Sequence, residues 1–385
     1  MKKALVVGCG LSGAVIAREL AENGFKVEIL EKRNHIGGNM YDYIDEHGIL
    51  VHKYGPHTFH TNKKELYDYI CKFAQWDPYC LTCGAQINGV FTPTPFNYKT
   101  IDDFYSEEDA FCLKREIEKT FPGKSSVSVV EALNCGNGIV EQYAKFLFDN
   151  DYSLYSAKQW GVSPDEIDPS ILKRVPLRFD YNEGYFDDKY QVMPSISYTS
   201  FFEKLLSHDN ININYNTDAL EYLKISDDCM YYKNELVEFP VVYSGPLDEL
   251  FDTCYGSLPY RSLRFEFKYE QIESLQKYPV VAYPQEKDFI RIIEYNKLPV
   301  QKVKGTTYEI EYSIPYKCGE VNEPYYPLLT DESQKIYMKY YNKAKMIMNL
   351  YICGRLGMYK YYNMDQALEA ALEVCNRILG EGKNE

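Results

Sequence analysis

The stretch VVGCGLSGAVIARELAENGFKVEILEKR, from Val6 to Arg33, decides the fold. Its apolar start is typical of a buried strand, the apolar spacing that follows is typical of a helix, and KVEIL indicates a second strand. Gly8, Gly10 and Gly13 form a G-x-G-x-x-G motif between the first strand and the helix. The pattern therefore predicts a strand–helix–strand unit that binds a dinucleotide, with strands at 4–7 and 26–30 and the helix at 12–23.

Each glycine of the motif has a physical reason. Gly8 permits the tight turn, Gly10 lets the backbone approach a pyrophosphate, and Gly13 allows the helix to pack closely on the strand. The free N–H groups at the helix start, near Ser12, then face the phosphates. Glu31 ends the second strand, where a carboxylate accepts hydrogen bonds from ribose hydroxyls. A glycine-rich turn without a ligand is the alternative, but the complete set of strands, helix and acid favours a dinucleotide.

A second glycine-rich turn distinguishes between the two common dinucleotides. The sequence Gly37-Gly38-Asn39 follows Lys32 and Arg33 within a few residues. This arrangement resembles the large FAD-binding oxidoreductase folds, in which two loops hold the pyrophosphate and the flavin. NAD-binding domains usually continue with a plain helix at this point. The second turn therefore favours FAD as the cofactor.

The C-terminal part of the chain supports a flavin site. A predicted strand ends in GRLG around Arg355, and a helix begins near Met364 and Asp365. We expect the N-terminus of that helix to lie against the pyrimidine edge of the flavin. A strand and helix that only pack against the sheet are the alternative.

Charge and cysteine content exclude several classes of protein. The net charge of −14 argues against a nucleic-acid partner, because phosphate binding needs a basic surface. Eleven cysteines without a framework spacing favour reduced thiols and a cytoplasmic protein. Cys80 and Cys83 form a C-x-x-C pair that no second pair follows, so we predict no metal site. No apolar run reaches about 18 residues, so we expect no membrane insertion.

The order of predicted helices and strands along the chain indicates an α/β fold with three units. The first is a Rossmann-like, FAD-binding domain that is discontinuous in sequence. A helical bundle and an antiparallel β-sheet domain are inserted into it. The predicted ranges are 1–80, 196–250 and 340–385 for the FAD-binding domain, 100–165 for the helical bundle, and 81–99, 166–195 and 251–339 for the sheet and substrate domain, with a mobile loop near 166–178.

Seven further segments occur in order over nearly the whole chain. They are YGPHTFHTN (54–62), KQWG (158–161), RVPLRFDYNEGYFDDKYQVMP (174–194), YSGPLDELFD (243–252), LPYRSLRFE (258–266), PYYPL (324–328) and GRLGMYKYYNMD (354–365). Together they resemble the bacterial UDP-galactopyranose mutases. The likeness is far more specific than the nucleotide motif alone.

The resemblance implies an unusual use of the flavin. The family is a homodimeric flavoenzyme that interconverts UDP-galactopyranose and UDP-galactofuranose and supplies galactofuranose for cell-surface polysaccharide. N5 of the reduced FAD attacks the anomeric carbon and expels UDP, and the sugar then closes as a five-membered ring. No net oxidation occurs, so the oxidised enzyme should be inactive. A reductant such as NAD(P)H is implied.

The resemblance also implies three catalytic residues. Arg174 matches an arginine on a mobile loop that closes over the substrate, and Arg291 matches its partner on the sheet. Guanidinium groups suit this role because the leaving diphosphate is negatively charged. His60, with His57 three residues before it, matches a histidine beside the flavin and the sugar. The alternatives are surface salt bridges for the arginines and core packing for the histidines.

Aromatic and polar residues complete the implied substrate site. Tyr155 matches a tyrosine that stacks on uracil, and Tyr326 and Tyr361 match diphosphate contacts. Because the chain has 38 tyrosines, ordinary packing is a strong alternative for each of them. The predicted substrate-binding residues are Tyr155, Trp160, Tyr185, Phe186, Arg261, Tyr326, Tyr361 and Asn363. The predicted cofactor-binding residues are Gly8, Gly10, Ser12, Gly13, Glu31, Lys32, Arg33, Gly38, Asn39, His57, Arg355, Met364 and Asp365.

Several positions depart from the pattern of the family. Leu81 and Thr82 stand where the family has Asn-Arg, and Asp151 stands where it has an aromatic residue. Asn363 replaces an acid, and Cys254 lies where an arginine is expected. These changes fall on the substrate side, so the base and the sugar stay open. A mutase of the same mechanism on an N-acetylated or deoxygenated nucleotide sugar, an amine-oxidase-type redox flavoenzyme, and a non-catalytic FAD-binding or scaffold protein are the alternatives.

Overall fold

The computed structural model describes residues 2–161, 175–317 and 322–381. Its helices are α1 (Leu11–Glu22), α2 (Lys64–Cys71), α3 (Tyr98–Phe104), α4 (Glu107–Thr120), α5 (Val129–Leu133), α6 (Gly138–Leu147), α7 (Ser153–Trp160), α8 (Tyr198–Leu206), α9 (Leu247–Leu250), α10 (Asp331–Met346), α11 (Gly354–Gly357) and α12 (Met364–Glu381). A π-helical turn, Phe148–Tyr152, joins α6 to α7.

The strands of these ranges form six sheets. They are β1 (Lys3–Val7), β2 (Lys26–Leu30), β3 (Asp42–Ile44), β4 (Leu50–His52), β5 (Phe59–Thr61), β6 (Trp76–Pro78), β7 (Cys83–Ile87), β8 (Val90–Thr94), β9 (Ser126–Val127), β10 (Leu177–Arg178), β11 (Tyr190–Pro194), β12 (Ile211–Asn214), β13 (Leu223–Ser226), β14 (Cys229–Tyr232), β15 (Glu235–Leu236), β16 (Val241–Tyr243), β17 (Tyr260–Glu270), β18 (Val280–Ala282), β19 (Arg291–Glu294), β20 (Thr306–Pro315), β21 (Tyr326–Pro327) and β22 (Leu350–Ile352).

A five-stranded parallel sheet forms the nucleotide-binding unit. Its strand order is β12-β2-β1-β16-β22, and α1 connects β1 to β2. The apolar positions Val15, Ile16 and Leu20 of α1 are fully buried. Since parallel strands need helices on their faces, this arrangement explains the unbroken apolar run of β1. The predicted Rossmann-like fold is confirmed, and β2 has the predicted bounds.

A seven-stranded sheet forms the floor of the second unit. Its order is β21-β17-β20-β19-β18-β7-β8. Every pair is antiparallel except β7 and β18, which run parallel, so the predicted antiparallel sheet is in fact mixed. The pairing of β19 with β20 places Arg291 directly opposite Glu311.

Helices α3 to α7 pack around a core of their own. Ile101, Leu113, Val140 and Leu147 are among its buried members. The short helix α5 begins at a serine cap: the hydroxyl of Ser128 accepts from the N–H of Glu131, and the Glu131 side chain accepts from the N–H of Ser128. This capping box satisfies two N–H groups that the helix itself leaves unpaired.

Two strands in the range 166–195 differ from the expected grouping, which placed that range with the seven-stranded sheet. β10 pairs with β9 beside the helices, because Leu177 is buried in the helical core. β11 pairs with β5 and β6, because Val192 and Met193 belong to the core of the nucleotide-binding unit. Within the described ranges, no helix is both long and apolar enough to cross a bilayer.

Candidate functional site

The glycine motif lies in a tight crossing of backbone segments. Gly8 has a φ of +93°, and a Cβ added there would lie 2.3 Å from Oγ of Ser244. A Cβ added at Gly13 would lie 2.0 Å from the carbonyl oxygen of Gly8. Contacts this short exclude any side chain, so the predicted reasons for glycine at both positions hold in the structure.

The two glycine-rich loops touch each other. A Cβ added at Gly38 would lie 2.9 Å from Cα of Gly10, and the Gly37 N–H donates to the carbonyl of Cys9 at 2.9 Å. No side chain of the described ranges caps the start of α1 at Gly10. The first N–H groups of α1 therefore stay available beside the cleft, as a phosphate site requires.

Glu31 is fixed at the end of β2 by the backbone around it. Its side chain is 4% exposed. The Cys9 N–H donates to Oε2 at 2.7 Å, and the Arg33 N–H donates to Oε1 at 2.8 Å. Each carboxylate oxygen keeps a lone pair. The carboxylate is thus oriented in the wall of the cleft and can still accept from a ribose hydroxyl.

Arg33 joins three parts of the cleft wall. Its Nη2 donates to Oδ1 of Asn39 at 3.0 Å and lies 3.2 Å from Glu323, and its guanidinium stands over the ring of Tyr54 at 4.3 Å. Lys32 pairs with the same carboxylate at 3.1 Å. Burial opposes ionisation of Glu323, but Arg33 and Lys32 outweigh it and lower the pKa of the carboxyl. Glu323 is about 290 residues away in sequence, so no local pattern indicates it.

The cleft formed by these groups fits an FAD. It has a helix start without a side-chain cap in the described ranges, glycines in both loops whose positions leave no room for a side chain, and an oriented acid at the end of β2. Twelve of the thirteen predicted cofactor-binding residues line it. The exception is Asp365, whose Oδ1 accepts from the N–H of Gln366 at the start of α12.

A second cleft opens from the first over the seven-stranded sheet. Asn39, His57, Arg355, Asn363 and Met364 line both clefts. The two spaces are therefore continuous, which places one end of the nucleotide cleft against the second cleft. Eight of the predicted catalytic and substrate-binding residues line the second cleft: His60, Tyr155, Tyr185, Phe186, Arg291, Tyr326, Tyr361 and Asn363.

Arg291 is held in this cleft by a buried acid. Its Nε and Nη2 donate to Oε2 of Glu311 at 2.9 and 2.7 Å, and Glu311 is 1% exposed. Burial opposes the charge of Arg291, but Glu311 outweighs it, so the pKa of the guanidinium is raised well above its usual range. Arg291 is therefore a fixed cation with a further N–H-bearing nitrogen, Nη1, that does not bond Glu311.

The two histidines have different surroundings. His60 Nδ1 donates to Oδ2 of Asp188 at 2.8 Å, and its ring stacks on Phe186 with centroids 3.6 Å apart. His57 Nδ1 donates to the carbonyl of Gly55 at 2.9 Å. Burial lowers the pKa of His57 to about 4, so this ring is neutral near pH 7.

Two stacked tyrosines form another part of the wall. The rings of Tyr326 and Tyr361 have centroids 5.6 Å apart, and the Arg355 guanidinium lies 5.1 Å from the centroid of Tyr361. The Nη2 of Arg355 donates to the carbonyl of Tyr362 at 2.7 Å. Arg355, which lines both clefts, therefore lies beside a tyrosine ring of the second cleft at their junction.

Three predicted residues cannot be placed in either cleft. Arg174 and the side chain of Trp160 lie outside the described part of the structure. Arg261 is described but does not line the cleft. Its Nη2 donates to Oγ of Ser313 at 2.8 Å, and that hydroxyl donates to the carbonyl of Gln159. Arg261 therefore connects the sheet to the end of α7.

The departures from the family pattern are divided between the cleft and the surface. Leu81, Asp151 and Asn363 line the second cleft. Thr82 forms an isolated bridge with Gly184. Cys254 is an exposed thiol. Among residues 2–161, 175–317 and 322–381, no group of three or more His, Cys, Asp or Glu side chains is arranged to hold a metal ion.

Comparison with known proteins identifies the family. A sequence model of the UDP-galactopyranose mutase family matches residues 151–361, and one of NAD(P)-binding Rossmann-like domains matches residues 6–73. The chain belongs to the UDP-galactopyranose mutase family. Members of this family are flavin-dependent isomerases.

Individual relatives match this chain over nearly their full length. The chain is 35% identical to a probable UDP-galactopyranose mutase of Klebsiella pneumoniae, covering 100% of this chain and 96% of that protein. It is 34% identical to a dTDP-fucopyranose mutase of Escherichia coli, covering 100% of both. The structure of a reduced UDP-galactopyranose mutase has the same fold, with a TM-score of 0.70 at 15% identity over 99% of this chain and 96% of that one.

Proposed function

We propose that this protein is a flavin-dependent mutase that interconverts UDP-galactopyranose and UDP-galactofuranose. The observation that carries the proposal is the continuity of the two clefts at Arg355, Asn363 and Met364. One cleft fits an FAD, and the other contains a fixed cation, Arg291, among aromatic side chains. A sugar diphosphate held in the second cleft can therefore present its sugar to the flavin end of the first.

The cofactor supplies a nucleophile. When bound and reduced, a flavin provides the electron pair that displaces a nucleoside diphosphate from the anomeric carbon of the sugar. Arg291 is placed to bind the diphosphate and to stabilise the negative charge that grows on it as it leaves. Because Glu311 fixes the guanidinium before the substrate arrives, little reorganisation is needed.

The aromatic residues position the rest of the substrate. Tyr155 offers a ring for the nucleobase, and its neighbours in a small apolar cluster include Leu263 and Ile290. The hydroxyls of Tyr326 and Tyr361 donate to the diphosphate. The His60 ring, fixed by Asp188, contacts the sugar. Arg174 remains part of the proposal as the second cation of the diphosphate site.

The proposal includes four further points that follow from the family likeness and from the free cysteines. They are a homodimer, a reductant such as NAD(P)H, a cytoplasmic location and a role in cell-surface polysaccharide synthesis. Sedimentation of the purified protein tests the first, and flavin bleaching on addition of NADH or NADPH tests the second. A protein that sediments as a monomer would exclude the homodimer. A flavin that neither NADH nor NADPH reduces would exclude NAD(P)H as the reductant.

A deoxygenated sugar on a thymidine nucleotide is the second candidate substrate. One relative that is 34% identical over its full length is a dTDP-fucopyranose mutase. Three departures from the family pattern, Leu81, Asp151 and Asn363, line the substrate cleft of this chain. The candidate therefore rests on both the relative and the cleft.

The test is a substrate panel under reducing conditions. The FAD-loaded protein is incubated with dithionite and UDP-galactofuranose, dTDP-fucofuranose or UDP-N-acetylgalactosamine, and the products are separated by chromatography. We expect UDP-galactopyranose as the fastest product. Faster conversion of the thymidine substrate would support the second candidate instead. No conversion of any furanose substrate would refute a mutase.

A further inference from the structure

Asp151 is a buried carboxyl group in the wall of the substrate cleft. It lies in the π-helical turn that precedes α7, and it is 8% exposed. Its buried Oδ1 has no hydrogen-bond partner among the residues that the structure describes. An unpartnered buried polar atom is costly, more so when it is charged. A group kept in this state at a ligand cleft is a candidate for bonding the ligand.

The nearest basic group does not satisfy this carboxyl. Lys158 interacts with Asp151 only through its charge. Its Nζ donates to the carbonyls of Tyr283, Glu286 and Phe289 at 2.5, 2.7 and 2.9 Å. An ammonium group has three donors, and all three are used there. Lys158 therefore leaves Oδ1 of Asp151 open to a hydrogen bond from a ligand in the cleft.

Asp151 lies one helical turn before Tyr155, and both side chains line the same cleft. The wall around them includes the apolar residues Val175, Val280 and Ala282. In the proposed function Tyr155 carries the nucleobase on its ring. A side chain one turn away on the same face is placed at the edge of a base stacked there. The resemblance to the family implies an aromatic residue at position 151, which can stack on a base but offers no carboxylate acceptor.

We propose that Asp151 is a specificity residue that accepts a hydrogen bond from the N3–H of a uracil or thymine ring. The inference rests on the proposed function. Both bases offer one N–H between two carbonyls, whereas cytosine presents an unprotonated N3 to the same position. The relatives named above act on UDP and dTDP sugars. Asp151 would therefore select pyrimidine diones as a class without separating uracil from thymine.

Binding of matched nucleotides to the full-length, FAD-loaded protein tests the inference. Dissociation constants are measured for UDP, for UDP methylated at N3, for CDP and for GDP. The measurements are made at pH 8, where the Asp151 carboxyl is ionised, and loss of one hydrogen bond to a charged group changes affinity by about 10- to 100-fold. We therefore expect N3-methyl-UDP and CDP to bind at least about 10-fold more weakly than UDP.

Two variants separate hydrogen bonding from steric exclusion of the methyl group. Asp151→Leu keeps the size of the side chain but removes the acceptor, so the ratio of the UDP and N3-methyl-UDP constants should fall towards one. Asp149→Leu replaces a half-exposed carboxylate in the same turn that pairs with Lys145, and it should leave the ratio unchanged.

Several binding results would overturn the inference. Equal binding of UDP and N3-methyl-UDP to the wild type would overturn the inference without use of any variant. An unchanged ratio in Asp151→Leu would also overturn it, because the methyl group would then be excluded by shape alone. Tighter binding of GDP than of UDP would exclude a pyrimidine. If UDP-galactofuranose is converted but the binding ratios differ from those expected, only the role of Asp151 is refuted. If no nucleotide sugar is converted, the proposed function itself is refuted.

Discussion

Replacement of Asp151 by asparagine tests how much stability the substrate cleft gives up for a buried acid. Burial raises the pKa of this carboxyl from 3.8 to about 7, and the charge of Lys158 opposes only part of that effect. Asparagine has the same shape and never ionises. The variant therefore removes the ionisation and leaves the packing of the turn nearly intact.

The raised pKa of Asp151 determines whether stability rises or falls with pH. Between about pH 4 and pH 7, the folded protein holds a proton on Asp151 that the unfolded chain has released. Wild-type stability therefore falls as pH rises through this window, and the loss is complete above about pH 7. A difference of about 3 pKa units, from 3.8 to about 7, corresponds to roughly 4 kcal/mol at about 1.4 kcal/mol per unit. Tyr152 and Tyr155 remain neutral throughout, because burial raises the pKa of both.

Urea unfolding of both proteins at pH 5, 6, 7 and 8, with saturating FAD, measures the effect. The free energy of unfolding of Asp151→Asn minus that of the wild type should increase with pH, by roughly 3 kcal/mol between pH 5 and pH 8, because about 2 of the 3 pKa units fall in that range. Asp149→Asn, in an exposed pair with Lys145, is the control and should give a flat difference. A difference for Asp151→Asn that is flat, or that decreases with pH, would refute the buried acid.

Two further predictions concern the cofactor and the diphosphate. Gly13→Ala should lose bound flavin, because its Cβ would lie 2.0 Å from a carbonyl oxygen. Gly138→Ala is the control and should keep the flavin, because a Cβ there would meet no described atom within 4 Å. Flavin absorbance of the purified proteins measures the difference, and equal flavin content would contradict the packing argument. Arg174→Ala and Arg291→Ala should lose nearly all turnover and still bind FAD. Arg291→Ala also leaves the buried carboxylate of Glu311 unpaired and should cost roughly 3–5 kcal/mol of stability. Near wild-type turnover of either arginine variant would exclude its role.

The first strand–helix–strand segment of the nucleotide-binding unit could be predicted from the sequence because the residues that indicate it lie close together in the chain. The predicted second strand, 26–30, coincides with β2, and α1 (Leu11–Glu22) is shifted by one residue from the predicted 12–23. Glycine spacing, apolar runs and the acid at position 31 all occur within about thirty residues. Such a pattern needs no knowledge of distant pairing.

The partners of the site residues depend on contacts between distant segments. The run TTYEIEYSIP in β20 alternates acidic and apolar residues, and alternation normally indicates that the acids face solvent. Glu309 and Glu311 are nevertheless buried, because β20 lies inside the sheet and Arg291 of β19 stands opposite Glu311. Asp188, the partner of His60, is 128 residues away from it. Register and loop placement decide these contacts, and neither is encoded in a short window.

The most direct test of the central claim compares one reaction in two states of the flavin. Conversion of UDP-galactofuranose to UDP-galactopyranose is measured with the FAD oxidised and with the FAD reduced by dithionite, and the flavin spectrum is recorded before and after. We predict conversion only by the reduced enzyme, with the flavin still reduced when the reaction ends. Equal conversion by the oxidised enzyme, or one flavin oxidised for each sugar converted, would contradict it.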